Sequence, residues 1–130
     1  MIPEQELFDT VFTKAQELGY TVYDHLPLES ENAPYPFVNV GDVNSTISPY
    51  KDAYGARIDI TLNVWDTGEN RYNVAKMMNA LSAIGQGVLL SENFRFVGRP
   101  SLNSNQIITD TSVQDTVLMH GIVSLVFQLS

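Results

Sequence analysis

One run of this chain changes periodicity midway, and the change restricts what the rest can fold into. It is residues 56–85, ARIDITLNVWDTGENRYNVAKMMNALSAIG. In its first half Ala56, Ile58, Ile60, Leu62 and Val64 fall on one face, and Arg57, Asp59, Thr61, Asn63 and Trp65 on the other. Such alternation, rich in β-branched residues, predicts a half-buried strand over 56–66. In the second half Val74, Met77, Met78, Leu81 and Ile84 recur at helical spacing, with Ala75 and Ala80 beside the stripe, and predict a helix over 69–84. Asp66 stands where a cap belongs, and Glu69 three residues on completes what reads as a capping box. Gly85 follows the last apolar position, where a left-handed helix stop is expected. A strand that feeds a helix through so short a turn must receive the apolar stripe on its own sheet. Leu62 and Leu81 are therefore expected in one cluster, and the remaining chain has to supply the other strands.

Upstream, Leu7, Phe8, Val11, Phe12, Ala15 and Leu18 form a stripe that predicts a helix over 4–18. Pro3 suits its first turn, Glu4, Glu6 and Asp9 favour its N-terminal dipole, and Gly19 ends it. A short strand is expected at 21–23. Residues 24–36 carry Pro27, Pro34 and Pro36 and read as a loop ordered by packing of Leu26, Leu28 and Tyr35. A strand is expected over 37–43, with Val38 and Val40 on one face and Phe37 and Val43 on the other. It should pair antiparallel with the central strand through residues 44–55, a polar connection of roughly twelve residues. That exceeds the usual hairpin loop and points to an interaction carried there. Downstream, short strands are expected at 88–90, 94–98 and 106–111, with turns at 99–105 and 112–115. The last strand, 117–129, sets Val117, Met119, Gly121, Val123, Leu125, Phe127 and Leu129 on an apolar face. Leu118, His120, Ile122, Ser124, Val126 and Gln128 form a mixed one. At ~3.3 Å per residue it spans roughly 40 Å, so it must twist strongly or reach past its own domain. The expected fold class is α+β: a mixed, mainly antiparallel sheet with helices packed on it, in a single domain over 1–130.

Charge and composition remove several classes of function. Seven basic residues against fifteen acidic ones leave a formal net charge of −8, which repels phosphate backbones and anionic membranes. No sequence-specific nucleic-acid binding and no membrane partner are expected. The absence of cysteine excludes a disulfide scaffold, a thiolate zinc site and a cysteine nucleophile. The opening MIPEQELFDTVF lacks a basic region ahead of an apolar run and does not read as a signal peptide. No apolar run approaches the ~20 residues of a membrane span. The expectation is a protein made and assembled in the cytoplasm.

No catalytic, cofactor-binding or metal-ligating set emerges, so neither an enzyme nor a cofactor is expected. His25 and His120 are far apart, lack metal-ligand neighbours and read as structural. Gly85-Gln86-Gly87 follows a helix instead of opening one, so it reads as a helix stop plus turn and not as a phosphate loop. Asp59, Asp110 and Asp115 read as solvated carboxylates. Asn44-Ser45-Thr46 matches a glycosylation sequon that has no meaning without a secretory signal. Met77-Met78 reads as core filler. Trp65 reads as a packing anchor, with an interface role as the alternative. Tyr50, Lys51, Asp52 and Tyr54 leave two readings open: a solvated loop with its tyrosines resting on the sheet, or a contact loop for a neighbouring subunit.

Three segments in order carry a resemblance: Val22-Tyr23-Asp24-His25-Leu26-Pro27, Pro34-Tyr35-Pro36-Phe37-Val38-Asn39-Val40-Gly41-Asp42, and Val64-Trp65-Asp66 ahead of an Ala/Leu-rich helix. With them the chain resembles the small tail-completion proteins of long-tailed bacteriophages and prophages, similar in fold to siphophage tail terminators. The resemblance covers nearly the whole chain. It implies a tail-terminator-like domain that forms a ring, usually of six subunits, when the protein meets its tail tube, with the free protein expected as a monomer. The ring would cap that tube and meet the head connector, at the head–tail interface of the virion. The implied partners are further copies of the chain, the major tail tube protein and a head-completion or connector protein; no catalytic residues carry over. Sheet edges must be paired, covered or charged, and a ring can pair them by heterologous contacts that close. The long last strand is expected to lend part of its edge to a neighbour. An acidic protein also suits a channel through which DNA slides. The alternative is a non-enzymatic module that holds a small protein or peptide with the 44–55 loop.

Overall fold

The computed structural model describes residues 2–46 and 56–130. Those residues place two α-helices on a curled, mostly antiparallel sheet of seven strands, the α+β arrangement expected. The helices are α1 (Pro3–Glu17) and α2 (Arg71–Ser82). The strands are β1 (Val22–Tyr23), β2 (Phe37–Thr46), β3 (Arg57–Thr67), β4 (Val88–Leu90), β5 (Arg95–Gly98), β6 (Ser104–Asp110) and β7 (Leu118–Leu129). Their order is β1-β2-β3-β7-β5-β4, with β6 also paired to β7. The β1–β2 pair is parallel and the other pairs are antiparallel.

The alternation in β3 does what its period requires. Ile58, Ile60, Leu62 and Val64 are fully buried on the helix side, where Leu62 and Leu81 share the main core cluster. From α2 that cluster takes Val74, Met77, Met78 and Leu81, and from α1 it takes Leu7, Val11 and Ala15. Gly121 lets α2 approach β7: a Cβ there would lie 2.6 Å from Met78 Sδ and 2.9 Å from Val74 Cγ1. The sheet curls around α1. One end packs β1 and β2 on that helix, and near the other Glu6 accepts hydrogen bonds from Ser91 Oγ (2.7 Å), Asn93 N–H (3.1 Å) and Asn93 Nδ2 (2.9 Å).

Several local expectations need correction. The turn into α2 is not a capping box: β3 runs through Asp66 and Thr67, and the N-cap, Asn70, makes no side-chain capping bond. Asp66 is buried and instead gathers the turn, accepting from Thr67 N–H (2.7 Å), Asn70 Nδ2 (3.1 Å) and Asn73 Nδ2 (2.9 Å). Gly85 is no left-handed stop. It sits in the 3-10 turn Ala83–Gln86, and what demands glycine is proximity, since a Cβ would lie 2.8 Å from Leu125 Cδ2. Gly19, with φ 92, does end α1 as predicted. In β2 the register shifts between Val40 and Val43, so Val43 lands opposite Ile60 and packs on the core with Val38 and Val40, not beside Phe37.

In the loop at 24–36 Leu26 and Leu28 do not provide the expected packing, being 54% and 67% exposed, whereas Tyr35 stacks on Phe37 with ring centroids 5.4 Å apart. Polar bonds hold it locally. Glu31 accepts from Leu28 N–H at 3.0 Å and from His25 Nε2 at 3.3 Å, while Asp24 meets His25 Nδ1 at 2.8 Å. Leu18 is likewise exposed, as the C-cap beyond the α1 stripe.

The largest correction concerns β7. Its two edges are filled from within the chain. β3 pairs along one side, while β6 (opposite 118–124) and β5 (opposite 127–129) divide the other. The crossover between those two short strands closes the gap: Arg99 N–H donates to the Val126 carbonyl and Val126 N–H to Asn103 Oδ1, both at 2.8 Å. The long strand is central, with no edge to lend. Among the described residues no helix is long and apolar enough to cross a membrane.

Candidate assembly surfaces

On the sheet face opposite the core, Trp65 nests against Phe37 and Leu118. Its Nε1–H donates to Asn39 Oδ1 at 2.9 Å, and the His120 ring stacks on it with centroids 3.8 Å apart and planes 11° apart. His120 Nε2 in turn donates to Asn63 Oδ1 at 2.7 Å. Burial pushes the His120 imidazole below its ordinary pKa, partly opposed by the charge of Asp110. Trp65 is thus a packing anchor inside a saturated polar cluster. His25 lies on another element, where hydrogen bonds to Asp24 and Glu31 push its pKa up.

The carboxylates singled out from the sequence do not converge. Asp59 is gripped by Arg57 through Nε (2.8 Å) and Nη2 (3.1 Å). Asp110 accepts from Ser112 N–H at 2.8 Å, and the Ser112 hydroxyl, together with that N–H, holds the Asp110 carboxyl below the usual range. Asp59 stands opposite Val126 and Asp110 opposite Leu118 along β7, which puts them roughly 26 Å apart at ~3.3 Å per residue. Asp115 occupies a turn with φ 57. Among the described residues no group of three or more His, Cys, Asp or Glu could hold a metal ion. Gly85 and Gln86 lie in the 3-10 turn that leads through Gly87 to β4. Met77 and Met78 are core, as read from their spacing. Tyr50, Lys51, Asp52 and Tyr54 lie outside the described residues.

Surfaces that sequence reasoning missed are of two kinds. Apolar side chains flank a groove between the 24–36 loop and the turn before β7, where Leu28, Tyr35 and Val113 line its walls. Leu26 and Leu28 carried no signal to separate them from core leucines, because neither sits in a periodic stripe. The second kind is backbone. Among the described residues β6 pairs with β7 alone, and β2 pairs with β1 only at Val38 and Asn39, so Val43–Thr46 has β3 as its sole neighbour.

No protein-family model matches the chain. It is 35% identical over 98 residues to tail completion protein gp17 of Bacillus phage SPP1, across 75% of this chain and 69% of that protein. In fold it is similar to a chain in the virion of a native gene transfer agent particle, with TM-score 0.59 at 17% identity over 97% of this chain and 96% of that one. A second solved chain reaches TM-score 0.52 at 18% identity, covering 98% of this chain and 89% of its own length. At 35% identity across more than two thirds of both chains, this chain belongs to the phage tail completion protein family of gp17.

Proposed function

We propose that the chain is a structural protein of a bacteriophage virion that completes the tail, and that it acts as a ring. The single observation that carries this reading is the 35% identity to tail completion protein gp17. Its place is the virion tail, at the end that meets the head. Copies of the chain, most simply six, close on the end of the tail tube, with the major tail tube protein on one side and a head-completion or connector protein on the other. The function is mechanical and needs no catalytic group; the polar clusters around Asp66 and His120 are saturated by structural bonds. The whole of residues 1–130 acts as one domain in this reading. A net charge of −8 suits a passage through which DNA moves without adhering.

Deleting the gene in its phage or prophage and imaging the products by electron microscopy tests the proposal. Tails of abnormal length, or tails detached from filled heads, are expected. Normal attached tails would refute it. Purified tails from the intact phage should carry the chain at one end only, in a fixed ratio to the tube protein.

A further inference from the structure

Among the described residues the short β1 and β4 end the strand order, and two further strand edges, β6 and the end of β2, carry no other strand and lie on opposite sides of the sheet. On one side is β6, Ser104–Asp110, bonded to β7 and, among the described residues, to no other strand. On the other is the end of β2, Val43–Thr46, past the reach of β1. Natural edges are normally blunted by charge, proline, bulges or a covering element. The outer part of β6 has none of these: residues 104–109 read SNQIIT, with no charge and no proline, and Ser104, Gln106 and Ile108 are exposed. Residues 43–46 read VNST, again uncharged, and Asn44, Ser45 and Thr46 are exposed. Two copies that each carry a net charge of −8 repel over most of their surface, so uncharged strips are where they can meet.

We propose that neighbouring copies join edge to edge, β6 of one against the Val43–Thr46 end of β2 of the next, so that the sheet continues from subunit to subunit. This rests on the ring reading above and supplies its joint. Strand directions support it. Along the sheet β2, β3, β7 and β6 alternate in direction, each pair being antiparallel. If all subunits face the same way around the ring, the next β2 therefore meets β6 antiparallel, the more stable pattern per residue. Because the two edges differ, the contact is heterologous: each subunit offers one edge and receives the other, as ring closure requires. Pairing of β6 with β6 would instead be isologous and stop at a dimer.

The faces match as well. Thr46 stands opposite Arg57, and Ile108 opposite His120, both on the side away from the core. Asn44 shares that side with Thr46, as Gln106 does with Ile108. Antiparallel pairing thus brings Asn44 or Thr46 of one copy across from Gln106 or Ile108 of its neighbour.

The chain has no cysteine, so introduced pairs report cleanly. Asn44→Cys or Thr46→Cys protein is mixed with Gln106→Cys or Ile108→Cys protein, assembled on tubes of the cognate tail protein and oxidised. The expected result is a disulfide-linked heterodimer in at least one of the four mixtures, and none with either variant of that pair alone. A double-cysteine chain should give a ladder that ends at the ring size. Ile108→Lys, an exposed charge away from the core, should lower the linked yield by about tenfold or more while the free protein melts as before. Rings that form with no cross-link in any mixture and with Ile108→Lys harmless would overturn the edge joint and leave the ring intact. A linked Ile108→Cys homodimer would overturn it in favour of β6–β6 pairing. Absence of any closed oligomer on the tubes would remove the ring reading and this joint together.

Discussion

The two histidines show how the same residue type is set by its surroundings. His25, exposed between Asp24 and Glu31, is pushed to a higher pKa, while His120, buried on Trp65, is pushed to a lower one. Followed by NMR, they should titrate on opposite sides of the ordinary value of about 6.5. The signs for stability differ accordingly. The contribution of His25 is complete below the unfolded value and is lost as pH rises through its raised one. For His120 the unfolded chain takes up the proton first, so stability falls as pH drops from about 6.5 through its lowered value. A common midpoint for both would mean that the Trp65 stack or the Asp24–His25–Glu31 tie is absent in solution.

At the scale of elements, α2 and its supports make two predictions. Leu81 is fully buried while Lys76 faces solvent. Leu81→Ala should cost ~2–5 kcal/mol in a denaturant melt, and Lys76→Ala no more than roughly 0.5 kcal/mol. Equal effects would mean that α2 presents a different face to the sheet. The second prediction separates two glycines that both look like tight contacts. A Cβ at Gly121 meets only side chains, the end of Met78 and Val74 Cγ1, but one at Gly98 would overlap the Gly85 carbonyl and lie 2.8 Å from the Gly87 oxygen. Gly98 N–H also donates to that Gly87 oxygen at 2.7 Å. Methionine can move aside and backbone cannot. Gly98→Ala should therefore lower the melting temperature clearly more than Gly121→Ala. The stripes of α1 and α2 were legible in the sequence because helical period is local. Gly85 and Gly98 were not, because their need for glycine comes from chain far away in sequence.

At the scale of the molecule, Glu6 joins α1 to the turn between β4 and β5 and so helps hold the curl of the sheet. Its hydrogen bonds to Ser91 and Asn93 hold its carboxyl below the ordinary glutamate value. The stabilisation is present above the unfolded pKa and is lost as pH falls through the lowered folded one. Hydrogen exchange in β4 and β5 should accelerate in Glu6→Gln at neutral pH, and in the unaltered protein only once the medium is acidic enough to protonate Glu6. The connection that carries Tyr50 and Tyr54 belongs to this scale too, as a proposed assembly contact. Replacing both tyrosines with serine should leave the melting temperature of the free protein nearly unchanged and yet yield tails of abnormal length or tails that fail to join heads. Normal tails, firmly attached, in micrographs of the double variant would remove that loop from the assembly contacts.

What the sequence determined by itself is whatever depends on neighbours within a few residues. The buried row Ile58, Ile60, Leu62 and Val64, the α2 stripe, the stop at Gly19 and the antiparallel pairing of β2 with β3 all follow from period and turn chemistry. The segments Val22–Pro27, Pro34–Asp42 and Val64–Asp66, in that order, also carry the resemblance to the tail-completion family in the sequence alone. Tertiary structure alone decided the rest. One bulge turned Val43 onto the core, since each added residue in a strand swaps the two faces. The strand order placed β7 in the middle, flanked by β3, β5 and β6, and among the described residues left unpaired edges at β1, β4, β6 and the end of β2. Which strand ends at an edge depends on which others reach its backbone first, and no local pattern of side chains encodes that competition.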